Sequence, residues 1–175
     1  MKMLLRSLAR NESSIVGNKT IIKDIEEYEN ETELLSSRDT VIDYLDVLDR
    51  LHLIENQEAY GQNYRSSSRV GKSPKRHLTD PSLACACLGL TPDKLLKDLN
   101  TFGFMFESLV ERDLRIYMDY LDGHLYHFRD NVTGLEVDSI LEFADGEYAA
   151  AEIKLGYNQV DEAKKSLLNF YNNMI

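Results

Sequence analysis

Positive charge is scarce in this chain: 20 lysines and arginines stand against 30 aspartates and glutamates, a formal net charge of −10 over 175 residues. Proteins that live on duplex DNA usually show a basic surface, because neutralising phosphates and releasing counterions drives their binding. The shortage excludes binding through a generally basic surface. Any nucleic-acid role must rest on a local patch, a metal or a partner. Long apolar runs are lacking too. No stretch approaches the roughly 20 residues of a membrane span, so no membrane partner is expected. The opening "MKMLLRSLARN" has neither a long apolar region nor a small-residue cleavage site and does not read as a signal peptide. Cysteine is limited to Cys85 and Cys87. One residue apart, they make a poor disulfide and at most half a zinc site, and they read as reduced buried thiols of a cytoplasmic protein. There are only three prolines, no internal repeats and no low-complexity tracts.

What is present is helical periodicity in the first half. "KMLLRSLARN" and "NKTIIKDIEEY" both space apolar residues near the helical period. "SSRDTVIDYLDVLDRLHLI" is the strongest pattern, with Ser37 or Asp39 as cap and Val41, Tyr44, Leu45, Leu48 and Leu51 as its stripe. Two strands, in "LIENQEAYGQNYRSS" and "SPKRHLTDPSL", follow. Three helices and a two-stranded wing predict a winged helix-turn-helix-like domain over residues 1–80. Its third helix presents Asp39, Asp43 and Asp46 outward, offset only by Arg50. Carboxylates repel a polyanion, which favours a structural or protein-docking role for this helix.

One segment is basic. Arg65, Arg69, Lys72, Lys75 and Arg76 fall within "YRSSSRVGKSPKRH" and are the candidate nucleic-acid contacts. The substring Gly71-Lys72-Ser73 is not a phosphate-binding P-loop. Position 66 is serine where the motif needs glycine, and Pro74 stands where a helix must begin. No ATP site is expected.

The second half, residues 81–175, changes character and predicts an α/β (α+β) domain. Thr91 and Pro92 open a short helix, a longer one runs from about Phe102 to Leu121, and Gly123 ends it. "HLYHFRD" alternates as a strand. "GLEVDSILEFADGEYAAAEIKLG" reads as a hairpin, and "NQVDEAKKSLLNFYNNM" as a final helix. The hairpin decides where the carboxylates sit. A two-residue Asp145-Gly146 loop would put Asp138 opposite Ile153. A three-residue Ala144-Asp145-Gly146 loop, with glycine in the left-handed conformation, puts Asp138 opposite Glu152. The second register collects Leu135, Val137, Leu141, Phe143, Ala149, Ala151, Ile153 and Leu155 on one face, so burial favours it. Two opposed carboxylates repel unless a cation lies between them. Mg²⁺ suits the task, with Lys154 one step along the same face. Glu107, bordering the apolar stripe of the long helix, is the fourth candidate.

The order Glu107, then "EVDSIL" with Asp138, then "AEIK" with Glu152 and Lys154, resembles the PD-(D/E)XK nuclease superfamily core, although Val137 replaces the proline of the name. More closely, "SPKRHLTDPSLACACLGLTP", "DLNTFGFMFESLVERDLRIY" and "AEIKLG" resemble the C-terminal region of prokaryotic AAA-type ATP-binding proteins. The likeness covers essentially the whole chain. It implies a winged-helix-like unit followed by a restriction-endonuclease-like core, a mixed sheet flanked by helices. It further implies hydrolysis of nucleic-acid phosphodiesters, with Mg²⁺ or Mn²⁺ held by Asp138, Glu152 and the carbonyl of Ile153. Lys154 would be catalytic and Glu107 supporting. The implied partners are nucleic acid and an AAA-type ATPase domain or subunit, with a homo-oligomer left open. The ATPase that precedes this region in the family is absent from this sequence. The alternative implication is a catalytically silent nuclease fold that serves as a regulatory or docking module.

Overall fold

Leucines four residues apart put Leu4 and Leu8 on one side of helix α1 (Lys2–Arg10), where both are buried. The computed structural model describes residues 1–29, 38–61 and 72–174. It divides into two units, Met1–Asn56 with Lys75–Ser108, and Gln57–Pro74 with Leu109–Ile175. Each unit is therefore assembled from two stretches of chain. The architecture is mixed α and β, with seven α-helices and two small sheets among the described residues.

In the first unit, α1 is followed by β1 (Ser14–Ile15), α2 (Asn18–Glu29) and α3 (Arg38–Arg50). Ile21, Ile22 and Ile25 of α2 meet Val41, Leu45 and Leu48 of α3 in one core, joined by Leu4, Leu8, Leu78, Ala84 and Met105. The buried stripe of α3 is narrower than its sequence predicts, because Tyr44 and Leu51 are exposed. Asp39, Asp43 and Asp46 do face outward, as their spacing requires. Of the two candidate caps, Asp39 lies in the first turn and Ser37 lies outside the described residues.

The strands β2 (Ile54–Gln57) and β3 (Lys75–Leu78) form with β1 a three-stranded sheet in the order β1-β3-β2, with β1 antiparallel to β3. The short β1 had no signature in the sequence. Beyond β3 the chain turns into helix α4 (Pro81–Leu88), where the sequence suggested that the strand ran on. The Asp80 carboxylate caps it by accepting the Ser82 N–H at 2.8 Å, Pro81 takes the first position, and Gly89 closes it with φ 65°. Cys85 and Cys87 are free thiols on this helix. Helix α5 (Pro92–Lys97) starts at the Thr91 cap as expected, and α6 (Leu99–Tyr120) follows.

The second unit holds an antiparallel sheet, β4 (His124–Arg129), β5 (Glu136–Glu142) and β6 (Tyr148–Ala151), in sequence order. A parallel bridge, Ala59 to His127, adds a short segment beside β4 and gives the sheet its one mixed feature among the described residues. The Tyr60 N–H donates to the His127 carbonyl at 2.7 Å, and the His127 N–H to Glu58 at 2.9 Å. After a 3₁₀ turn at Tyr157–Gln159, the helix α7 (Val160–Met174) packs Leu167 and Phe170 into a core with Tyr60, Val137 and Ile140. Phe170 meets Phe128 edge-on at 4.9 Å. Among the described residues, no helix is long and apolar enough to cross a membrane.

Candidate functional site

The β5–β6 hairpin turns on three residues. The Phe143 N–H donates to the Glu147 carbonyl at 2.8 Å, the Gly146 N–H to the Phe143 carbonyl at 2.9 Å, and Gly146 has φ 85°. The pairs Glu142–Tyr148, Leu141–Ala149, Ile140–Ala150 and Ser139–Ala151 follow. The ladder ends there; carried one step further, its register would set Asp138 opposite Glu152. Alternation places both side chains on the face that carries Ile140 and Ala150.

That face is not the wet side of the sheet. The sequence puts burial on the face of Val137 and Leu141, yet Ile140 is as fully buried as Val137. The reason is α7. It covers the face of Ile140, with Phe170 against Tyr148 and the Ser166 hydroxyl donating to the Glu136 carbonyl at 2.8 Å. The carboxylates are thus held at the edge of a core.

Lys154 resolves the repulsion between them. Its Nζ lies 2.8 Å from Asp138 Oδ2 and 2.5 Å from Glu152 Oε2. The same Asp138 oxygen accepts the Ile153 N–H at 2.7 Å, so the acid of one strand grips the backbone of the next where the ladder ends. Gln57, fully buried, steadies β5 from behind: its Nε2 donates to the carbonyls of Tyr126 at 2.9 Å and Asp138 at 3.3 Å. Burial alone would lower the pKa of Lys154, but its hydrogen bonds to Asp138 and Glu152 outweigh this and hold it above the usual lysine value. Burial pushes Glu152 above the usual carboxylate value. The hydrogen bonds from Lys154 and Ser166 oppose that shift, and the charge of Asp138 adds to it.

Asp138 and Glu152 are oxygen donors of the kind Mg²⁺ takes, one or two carboxylates with water and substrate phosphate, and here the Lys154 ammonium bonds to both. Among the described residues no group of three or more His, Cys, Asp and Glu side chains is gathered to hold a metal unaided.

Glu107 belongs to the first unit, where it forms an ion pair with the buried Lys75. Arg76 is also buried, donating to Asn56 at 2.9 Å and to Asn18 at 2.5 Å. Both candidate nucleic-acid contacts, Lys75 and Arg76, thus have their charged heads bonded inside the unit. Lys72, in the second unit, donates to the Arg129 carbonyl at 2.5 Å and lies over the Phe128 ring. Arg65 and Arg69 lie outside the described residues.

Two buried acids escaped the sequence reading. Glu111, one turn after Glu107, accepts the Ser139 hydroxyl at 3.1 Å on the opposite face of β5 from Asp138. Its signal was available, because Glu111 and Met118 share the inner face of α6 seven residues apart. Glu12, in the first unit, accepts the Ser108 hydroxyl at 2.7 Å and the Leu78 N–H at 3.1 Å, with His77 Nδ1 3.6 Å away. Its partners lie 66 and 96 residues away in sequence, and no local pattern announces them.

Residues 1–94, more than half of the chain, match a family model described as a domain of unknown function, DUF8612. The chain belongs to the DUF8612 family. Residues 102–175 match a second model, a domain of unknown function, DUF4143, which contains the whole Asp138–Glu152–Lys154 cluster. No curated protein and no solved structure matches the chain.

Proposed function

We propose that the second unit carries a metal-dependent nuclease-like site that hydrolyses nucleic-acid phosphodiesters, and that it serves alongside an AAA-type ATPase. One observation carries the reading: two carboxylates from facing positions of adjacent strands share one lysine ammonium, which sits two residues beyond the second acid. Asp138, Glu152 and the Ile153 carbonyl would hold Mg²⁺ or Mn²⁺, which when bound supplies a more acidic water and polarises the phosphate. Lys154 stays protonated at neutral pH, so it does not take a proton from water. It places positive charge where negative charge develops on the phosphate oxygens. Asp138, anchored to the Ile153 N–H, fixes the spacing of the two strands at the reacting position. Lys75 and Arg76, and Glu107 with them, are engaged inside the first unit and are given no part in this chemistry.

The test is cleavage of labelled DNA and RNA, single-stranded and duplex, with Mg²⁺ or Mn²⁺. Asp138→Asn keeps an acceptor for the Ile153 N–H and should abolish cleavage while leaving circular dichroism and thermal midpoint near those of the parent. Equal cleavage by parent and variant would overturn the reading.

The ammonium between the acids also favours a second reading, because it neutralises them without a metal. On that reading the fold is a silent docking module of an ATPase. Calorimetric titration with Mn²⁺ separates the two: binding lost in Asp138→Asn supports the nuclease site, and no binding by the parent supports the docking module.

A further inference from the structure

Two grooves of the second unit meet at Glu152 and Lys154, one on each side of Ala163 of α7. The first, about 600 Å³, is polar, and its charged lining is Glu136, Glu152 and Glu162 against Lys154 and Lys165. The second, about 560 Å³, is walled by Val160, Leu167, Leu168 and Tyr171, with Lys154 and Lys164 against the single acid Glu152. Three carboxylates against two ammoniums disfavour a polyanion in the first. In the second, the Lys154 ammonium is already shared by Asp138 and Glu152, and the exposed Lys164 is the ammonium left to meet an anion.

We propose that the second groove seats an unpaired nucleotide of a single nucleic-acid strand, its base on Leu168 and Tyr171 and its phosphate toward Lys164. The ligand class rests on the nuclease reading, but the binding itself needs no catalysis.

Helical spacing puts Val160, Lys164, Leu168 and Tyr171 on one face of α7, and the large apolar members of that face meet water. Leu168 is 50% and Tyr171 58% exposed, while the neighbouring Phe170 is 1% exposed in the core. An apolar strip ending in a tyrosine and flanked by the Lys164 ammonium matches the two surfaces of a nucleotide, a flat π-face and an anionic phosphate. A duplex hides its base faces by stacking. It could fill this groove only by unstacking a base, at a cost that a single strand avoids. The substrate class selected is therefore a single strand or an unpaired end, DNA or RNA.

Fluorescence anisotropy of labelled oligonucleotides, in EDTA and low salt to silence cleavage, tests the assignment on the whole chain. Single strands of DNA and of RNA should bind more tightly than the matching DNA duplex, and the two arms show which sugar is preferred. Tyr171→Ala should weaken single-strand binding about tenfold, while Tyr171→Phe should leave it near the parent value. An abasic strand should lose the same factor and become indifferent to Tyr171→Ala. Equal binding of duplex and single strand, or no response to Tyr171→Ala, overturns the proposal. So does self-association through Tyr171, seen by sedimentation, with no oligonucleotide bound. Tyr171-dependent binding without metal-dependent cleavage sustains this inference and removes the nuclease reading. Duplex cleavage indifferent to Tyr171 does the reverse.

Discussion

The Lys154 ammonium lies 2.8 Å from the Asp138 carboxylate, across the gap where the β5–β6 ladder ends. Because the same Nζ also holds Glu152, replacing it leaves two acids facing each other with no counter-charge. Breaking a buried ion pair costs about 3–5 kcal/mol. Lys154 is 27% exposed, so Lys154→Met should cost less, about 2 kcal/mol by urea unfolding. Adding Glu152→Gln should restore part of that loss, because the residual repulsion goes with it; strictly additive losses would show that the ammonium and Glu152 are not coupled. In the cleavage assay, Lys154→Met should lower the rate about a hundredfold if the ammonium stabilises developing charge.

The register that brings these groups together depends on Gly146. Its φ of 85° suits glycine, and a Cβ added there would meet nothing within 4 Å, so any cost of substitution is conformational rather than steric. Gly146→Val should lower stability by about 1–2 kcal/mol, read as a fall in thermal midpoint, and Gly146→Asn by less, since asparagine visits this region more readily. Equal midpoints for the valine and asparagine variants would mean that the turn relaxes into another form.

Why was this hairpin legible when other parts were not? Turn chemistry and period-two alternation are local, and Gly146 sits where only one loop keeps Asp138 off the apolar side. Helix α4 was missed because Asp80-Pro81 reads equally as a strand-ending turn, and only the accepted Ser82 N–H makes it a cap. The burial of Lys75 and Arg76 was hidden for a different reason. Composition shows that Lys75 and Arg76 are charged but not that Glu107, Asn56 and Asn18 wait inside the fold. Burial on the face of Asp138 was hidden as well, since it comes from α7, whose path no period in the hairpin reveals.

Glu12 shows how much a long-range polar contact can hold. Its carboxylate satisfies the Ser108 hydroxyl and the Leu78 N–H inside the first unit, next to His77. Glu12→Ala would strand these donors in a buried site and should cost about 3–5 kcal/mol. Ser108→Ala removes one donor and its own demand for a partner, and should cost about 1 kcal/mol. The check is the midpoint of urea unfolding. Equal losses for the two variants would show that Glu12 has no wider role than its bond to Ser108.

Glu152 gives the site a pH signature of defined sign. Burial first, with the charge of Asp138 added, raises its folded pKa above the ordinary glutamate value of 4.5, against the pull of Lys154 and Ser166. The folded state therefore holds the proton more tightly than the unfolded chain. Between the unfolded and the folded pKa, the native state carries more protons, so the contribution of Glu152 to stability falls as pH rises through that window. Glu152→Gln cannot titrate. Its stability relative to the parent should therefore increase as the pH is raised from below 4.5 toward neutrality. Lys154 has the same sign of pH dependence at the far end of the scale. With its pKa held above 10.5, its contribution persists through neutral pH and is lost as the pH rises from 10.5 through the folded value. Urea unfolding of parent and Glu152→Gln at a series of pH values reads the difference directly. A parent that gains on the variant as the pH rises from acid would mean that Lys154 and Ser166, not burial, set the titration of Glu152.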